Sequence, residues 1–209
     1  ADAIRVTKQA FIDYETKKNR MPEKIYLNLP EYSGDFRAMP AYVEAYDIAG
    51  IKWVNSHKHN SKLGLPCVMA TLLINDPKTG AIKAIMEATA ITGLRTGAVG
   101  AIATELIIKS ESIKIALIGC GKQAEYQVKC IQEVKQLDTI SLYDISKDQC
   151  EIFAKKINSK NSKVMIKKSI KEVCESADII ITTTPGNKPV LMKADIPESC
   201  LIIAIGADA

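Results

Sequence analysis

The feature that most constrains this chain is the stretch Ile113–Ala124, IKIALIGCGKQA. A short apolar run stops at Gly119, and Gly121 and Ala124 follow at the spacing G-x-G-x-x-A. A strand that turns on glycines into a helix is how a backbone approaches a pyrophosphate. The pattern alone is weak, but the chain around it alternates. Strands are expected at 114–119, 139–144, 163–166, 178–183 and 200–205, with helical segments at 122–136, 147–158 and 169–176. Strands alternating with helices predict an α/β fold, a Rossmann-type doubly wound parallel sheet.

Two further stretches support a dinucleotide site. The second strand, TISLYDI, ends in Asp144, where an acid meets the adenosine ribose hydroxyls. A carboxylate there repels a 2′-phosphate and favours NAD over NADP, although Lys147 close behind leaves NADP open. In ADIIITTTPGNKPV a strand runs into Thr182–Thr184, Pro185 and Gly186. That sets hydroxyls and a turn at the carboxyl edge of the sheet, where ligands bind. β-Propensity by itself also accounts for the threonines.

The first half reads differently. Residues 2–18 have near-helical apolar spacing, and Asn19–Pro22 breaks it. Short extended runs follow, KIYLNL, FRAMPAYV, AGIKWVNS, CVMATLLIND and AIKAIMEAT, separated by turn chemistry. They predict a second, α+β domain on a mostly antiparallel sheet. The Ala- and Gly-rich ITGLRTGAVGAIATELIIK predicts a helix with Thr92 as N-cap, and its small residues predict very close packing. The polar KSES at 109–112 is the expected boundary, giving domains 1–112 and 113–209.

A net charge of +4, with lysines scattered and no basic stripe interleaved with aromatics, argues against a nucleic-acid partner. No apolar run approaches a membrane span. The six cysteines include no C-x-x-C, so no metal or redox pair is expected, and reduced thiols in a cytoplasmic protein fit them. Cys120, in the glycine turn, reads either as a thiolate favoured by a helix start or as a small filler. The chain lacks an initiator Met, begins inside a helix and stops after an apolar strand, so it is expected to be a piece of a longer protein.

Four cations mark candidate chemistry. Lys52, between Ile51 and Trp53–Val54, is either the outward residue of an alternating strand or a lysine whose charged form is disfavoured by apolar neighbours. Arg95, read as lying in the first turn of its helix, opposes the helix dipole unless an anion such as a substrate carboxylate lies between. Lys24 and Arg37 stand on neighbouring strands, and solvated strand faces also explain them. Together with one cofactor site they suggest a small anionic substrate. His57 and His59 form an H-x-H without an evident carboxylate partner, which fits a polar loop.

In order along the chain, MPEKIYL, GDFRAMP, GIKWVNSHKHN, ITGLRTGA, IGCGKQA, TTTPGNKPV and AIGADA resemble the ornithine cyclodeaminase/μ-crystallin family. The first three look most like its archaeal-type alanine dehydrogenase branch. The resemblance implies a substrate-binding and dimerisation domain (1–112), a Rossmann domain (113–209), and homodimers formed through the first. It implies Lys52 and Asp208 as catalytic residues, with Arg95, Lys24 and Arg37 on the substrate. It implies NAD contacts at Thr96, Gly119, Gly121, Gln123, Ala124, Asp144, Thr183 and Thr184. The activity it implies is NAD-dependent oxidative deamination of a small L-amino acid, alanine first, run in reverse as amination of a keto acid. Ornithine cyclodeamination, ketimine reduction, and a non-catalytic ligand-binding role like that of the family's crystallin are the alternatives. Glu87 stands where the dehydrogenase branch tends to carry Asp, and it is a candidate for holding an ornithine δ-ammonium. The family's C-terminal part, which follows the A-D-A/G segment, is absent from this sequence.

Overall fold

The computed structural model describes residues 1–16, 18–157, 162–185 and 188–205. Its elements are α1 (Asp2–Glu15), β1 (Asn19–Arg20), β2 (Ile25–Leu29), β3 (Gly34–Val43), β4 (Ile48–His57), β5 (Val68–Asn75), β6 (Ile82–Glu87), α2 (Thr89–Ile107), β7 (Ser112–Ile118), α3 (Lys122–Ile131), β8 (Gln136–Tyr143), α4 (Lys147–Lys156), β9 (Lys163–Ile166), α5 (Ile170–Cys174), β10 (Ile179–Thr182) and β11 (Leu201–Ala204). The chain forms two compact units, Arg5–Thr92 and Ala1–Ile4 with Gly93–Ala209. The division falls inside α2, upstream of the polar stretch at 109–112 where the sequence places a boundary.

The Arg5–Thr92 unit is built on a six-stranded sheet in the order β1-β3-β4-β5-β6, with β2 also on β3, and every pairing is antiparallel. Proline inside a strand removes a ladder donor. Pro40 is tolerated in β3 because β2 pairs residues 34–38 and β1 pairs 42–43, which leaves that edge of the strand open beside Pro40. Period-2 alternation gives the sheet two unlike faces. One carries the small core of Val54, Ala70 and Ala88, with Met39, Val68 and Leu72 against it. On the other, Phe36 and Trp53 stack at 5.3 Å, and Ile25, Leu27, Trp53 and Ile85 are exposed.

The other unit is a five-stranded, wholly parallel sheet in the order β11-β10-β7-β8-β9. Both faces of β7 are buried, as parallel strands require. Ile113, Ile115 and Leu117 enter one core with Val128, Ile131 and Phe153 of α3 and α4. Ala116 and Ile118 enter a second with Val173 and Cys174 of α5. The fold is therefore α/β, a doubly wound parallel sheet accompanied by a unit on an antiparallel sheet.

Helix α2 starts at Thr89, earlier than the Thr92 cap read from the sequence. The Thr92 N–H already bonds the Ala88 carbonyl at 2.9 Å as a helix amide. The Glu87 carboxylate accepts the Thr89 N–H at 2.7 Å, and the Thr89 hydroxyl accepts the Ala70 N–H at 3.2 Å. Arg95 therefore lies beyond the first turn, where the helix dipole has little hold on it. The helix dipole thus gives no reason for an anion at Arg95.

Candidate functional site

The glycine turn sits at the carboxyl end of β7. Gly119 has φ +95°, a conformation that an L side chain resists, and a Cβ there would lie 3.1 Å from Thr183. Its N–H donates to the Tyr143 carbonyl at 2.9 Å, and its own carbonyl accepts the Thr183 hydroxyl at 2.7 Å. Thr183 thus shapes the turn from β10, and its N–H donates to the Ile118 carbonyl at 2.9 Å. Thr184, partly exposed, follows it at the same sheet edge.

Gly121 is the N-cap of α3 and supplies no side chain to cap it. A Cβ on Gly121 would meet no atom within 4 Å. Free helix N-terminal amides facing open space are what a diphosphate needs. Gln123, in the first turn, holds a buried Oε1 with no hydrogen-bond partner among the described residues. Ala124 is fully buried, which allows the close helix–strand approach expected of a small residue at that position. These residues fit a dinucleotide.

Asp144, one residue past β8, carries more than the ribose contact its position suggests. One carboxylate oxygen accepts the Cys120 N–H at 2.8 Å and the other accepts the Ser146 N–H at 2.9 Å. Gln149 of α4 donates to the Cys120 carbonyl at 2.9 Å, so both backbone polar groups of Cys120 are tied down. A carboxylate has about four lone-pair sites, which leaves acceptors for ribose hydroxyls. Cys120 itself is buried with its Sγ 3.6 Å from Cys150 Sγ, and burial pushes its thiol well above the usual range. It is a filler of the turn; the thiolate reading fails because nothing there compensates desolvation.

Arg95 and Thr96 lie on α2, Arg95 exposed and Thr96 half-buried. The Thr96 carbonyl accepts the Nε2 of Gln127 from α3 at 3.0 Å.

In the antiparallel unit, register decides which side chains meet. Met39 pairs Lys52, Arg37 pairs Val54, and Tyr26 pairs Arg37, so Tyr26, Arg37, Met39, Lys52 and Val54 share one face. Lys24 joins them, its Nζ 5.2 Å from the Tyr26 ring centroid, with the Arg37 guanidinium 5.3 Å from the same ring. Lys24, Tyr26 and Met39 line a groove of about 530 Å³ whose other walls include Tyr14, Met21 and Glu23. Sequence reasoning did not single out Tyr26 or Asp35. Asp35 grips Arg37 bidentately, at 2.6 Å to Nε and 3.1 Å to an Nη, and D-x-R on one strand face was the available signal.

Glu87 lies on the opposite face. It pairs Thr71, which pairs Trp53, and this row excludes Lys52. Its bonds to the start of α2 hold its carboxyl below the usual range. It caps a helix and does not stand with Lys24, Arg37 and Lys52. His57 closes β4, with Nδ1 2.9 Å from Asn55 Nδ2 and its ring edge-on to Phe36, so it belongs to the sheet rather than to a polar loop. Asp208 lies outside the described residues, as does Gly186. Among the described residues no cluster of metal-ligating side chains gathers, and no helix is long and apolar enough to cross a membrane.

Known proteins resemble this chain in sequence and in fold. The chain is 38% identical over 207 residues to the alanine dehydrogenase of Archaeoglobus fulgidus, spanning 99% of this chain and 62% of that protein. It is 29% identical to the mouse ketimine reductase mu-crystallin, over 89% of this chain and 58% of the relative. Among solved structures, the Thermococcus litoralis Δ1-pyrroline-2-carboxylate reductase, in complex with NADH and L-proline, superposes with a TM-score of 0.93 at 33% identity, over 98% of this chain and 64% of that one. An archaeal alanine dehydrogenase dimer with bound NAD gives 0.86 at 36% identity, over 96% and 61%. The chain thus spans less than two thirds of the length of these relatives. The model of the ornithine cyclodeaminase/mu-crystallin family matches residues 1–209, and the chain belongs to that family.

Proposed function

We propose that this chain carries the dinucleotide-binding and substrate-binding parts of an NAD-dependent amino-acid oxidoreductase, an alanine dehydrogenase in its preferred direction. The observation that carries the reading is the shared sheet face of Lys24, Arg37 and Lys52, from which Glu87 is turned away. A face rich in cations suits a carboxylate and repels a second ammonium. Glu23, the acid among the residues lining the groove, is exposed, and Asp35 is engaged by Arg37. Ornithine, with its δ-ammonium, is the poorer fit, and a small amino acid with an uncharged side chain the better one.

NAD would be held by the turn from Gly119 to Gly121, the amides of α3, Gln123 and Asp144, and the chemistry it supplies when bound is acceptance of hydride from the substrate Cα. Arg95 binds the substrate carboxylate bidentately. Asp208 takes a proton from the substrate amine and activates the water that adds to the imine carbon. The Lys52 Nζ gives its proton to the departing nitrogen while the added hydroxyl gives its own up as the carbonyl forms, and ammonia leaves. Arg37, braced by Asp35, and Lys24, stacked on Tyr26, keep the groove electropositive.

The exposed row of Ile25, Leu27, Trp53 and Ile85 is proposed as the surface through which the protein pairs with a second copy. The archaeal neighbour solved as a dimer supports this.

The test uses the intact protein, with NAD and a panel of L-amino acids, following absorbance of the reduced cofactor. L-Alanine should give net NADH, and Lys52→Met should abolish turnover while leaving NADH binding intact. Conversion of ornithine to proline without net NADH would replace this reading with the cyclodeaminase. NADH binding with no turnover of any amino or imino acid would leave a binding protein.

A further inference from the structure

Glycines at 93, 97 and 100 fall on one side of α2, and α3 lies directly against them. A Cβ on Gly93 would sit 2.1 Å from the Tyr126 ring, one on Gly97 2.4 Å from the Tyr126 carbonyl oxygen, and one on Gly100 2.0 Å from Gln127 Oε1. Through this gap α3 reaches the backbone of α2: Gln127 Nε2 donates to the Thr96 carbonyl at 3.0 Å, and Cys130 Sγ approaches the Leu94 carbonyl at 3.8 Å. Gln127 is fully buried, and its Oε1 has no hydrogen-bond partner among the described residues. As filler this amide is a poor choice, because a methionine would occupy the space without stranding a polar atom. Its orientation is set by its bond to the Thr96 carbonyl. Turned over, its oxygen would face the Thr96 oxygen, acceptor against acceptor.

We propose that Gln127 is a positioning residue, which through the Thr96 carbonyl fixes the turn of α2 bearing Arg95 and Thr96 in register with the helix that opens at the glycine turn. What Arg95 and Thr96 bind rests on the function proposed above. The register itself does not.

The experiment compares Gln127→Met and Gln127→Glu with the parent in the intact protein. It measures NADH affinity by fluorescence, steady-state kinetics with L-alanine, and amide hydrogen exchange. Gln127→Met removes the donor at nearly constant volume. It should raise KM for the amino acid about fivefold, leave the NADH Kd within twofold, and speed exchange across residues 93–100 while α3 stays protected. Gln127→Glu restores the bond conditionally. Burial keeps its carboxyl protonated at the acid end, where the O–H donates to the Thr96 oxygen. The KM ratio of variant to parent should therefore approach one at low pH and grow as pH rises with α3 still protected from exchange, whereas a charge that merely loosened the packing would speed exchange in both helices. Unchanged KM and exchange in Gln127→Met would overturn the proposal. So would exchange that speeds equally through both helices. Should Gln127→Met fail to fold, the pH course of Gln127→Glu decides. If the parent itself oxidises no amino acid, the proposed function falls, and the exchange pattern still decides the role of Gln127.

Discussion

Gly121→Ala separates folding from cofactor binding. Gly121 has φ −86° and ψ −169°, extended backbone that any residue adopts, and an added Cβ would meet no atom within 4 Å. The folded state therefore bears no steric cost. The unfolded chain loses freedom, which stabilises by about 0.4–1 kcal/mol. In a chain of this size that raises Tm by about 1–4 °C. The same methyl occupies the space before the first amides of α3. A diphosphate held off those amides forfeits at least one charge-assisted bond, about 1.5–3 kcal/mol. The NADH Kd should accordingly rise roughly 10- to 100-fold. Fluorescence titration with NADH and thermal denaturation read the two quantities on one sample. Gly119→Ala is the contrast: at φ +95° and 3.1 Å from Thr183 it should lose stability and affinity together. A stable Gly121→Ala that binds NADH within twofold of the parent would mean that no diphosphate lies on this turn.

Gly97→Ala sets a Cβ 2.4 Å from the Tyr126 carbonyl oxygen, which is backbone and cannot swing aside. Overpacking of about 1–3 kcal/mol, less about 1 kcal/mol of helix propensity, leaves a net cost of up to about 2 kcal/mol, which should lower Tm by up to about 8 °C, and a raised Tm would show that α2 and α3 are not in close contact. In thiol labelling at mildly alkaline pH, exposed Cys67 should react first. Cys120 and Cys150, whose thiols burial pushes up, and Cys174, pushed up to about 11, should wait for unfolding, and rapid modification of Cys120 in the native protein would contradict the filler role given to it.

The parallel unit was legible because its signals are local. Each strand is an apolar run, each turn has its glycine or polar stop, and the spacing from the glycines to Asp144 is a sequence count. The strands of the other unit could be found, but their faces could not. Whether Glu87 stands beside Lys52 depends on pairing across β4, β5 and β6, and a one-residue slip in any ladder would reverse the answer. The start of α2 was misplaced for a related reason. Its first amide is capped by Glu87, while the Thr89 hydroxyl is held by the Ala70 N–H on β5, a contact remote in sequence. The sequence showed that 93–103 could pack closely without naming the partner, since the Gln127–Thr96 bond joins positions 31 residues apart.

Asp144 bears on how this protein could be re-engineered. Changing a dinucleotide site to accept a 2′-phosphate ordinarily starts by removing the acid after the second strand. Here the same carboxylate anchors the peptide N–H of Cys120 and starts the turn into α4. A swap to serine or arginine would release the glycine turn at the moment it removed the repulsion. A successful NADP-accepting variant would have to bring a new acceptor for that amide along with its new cation.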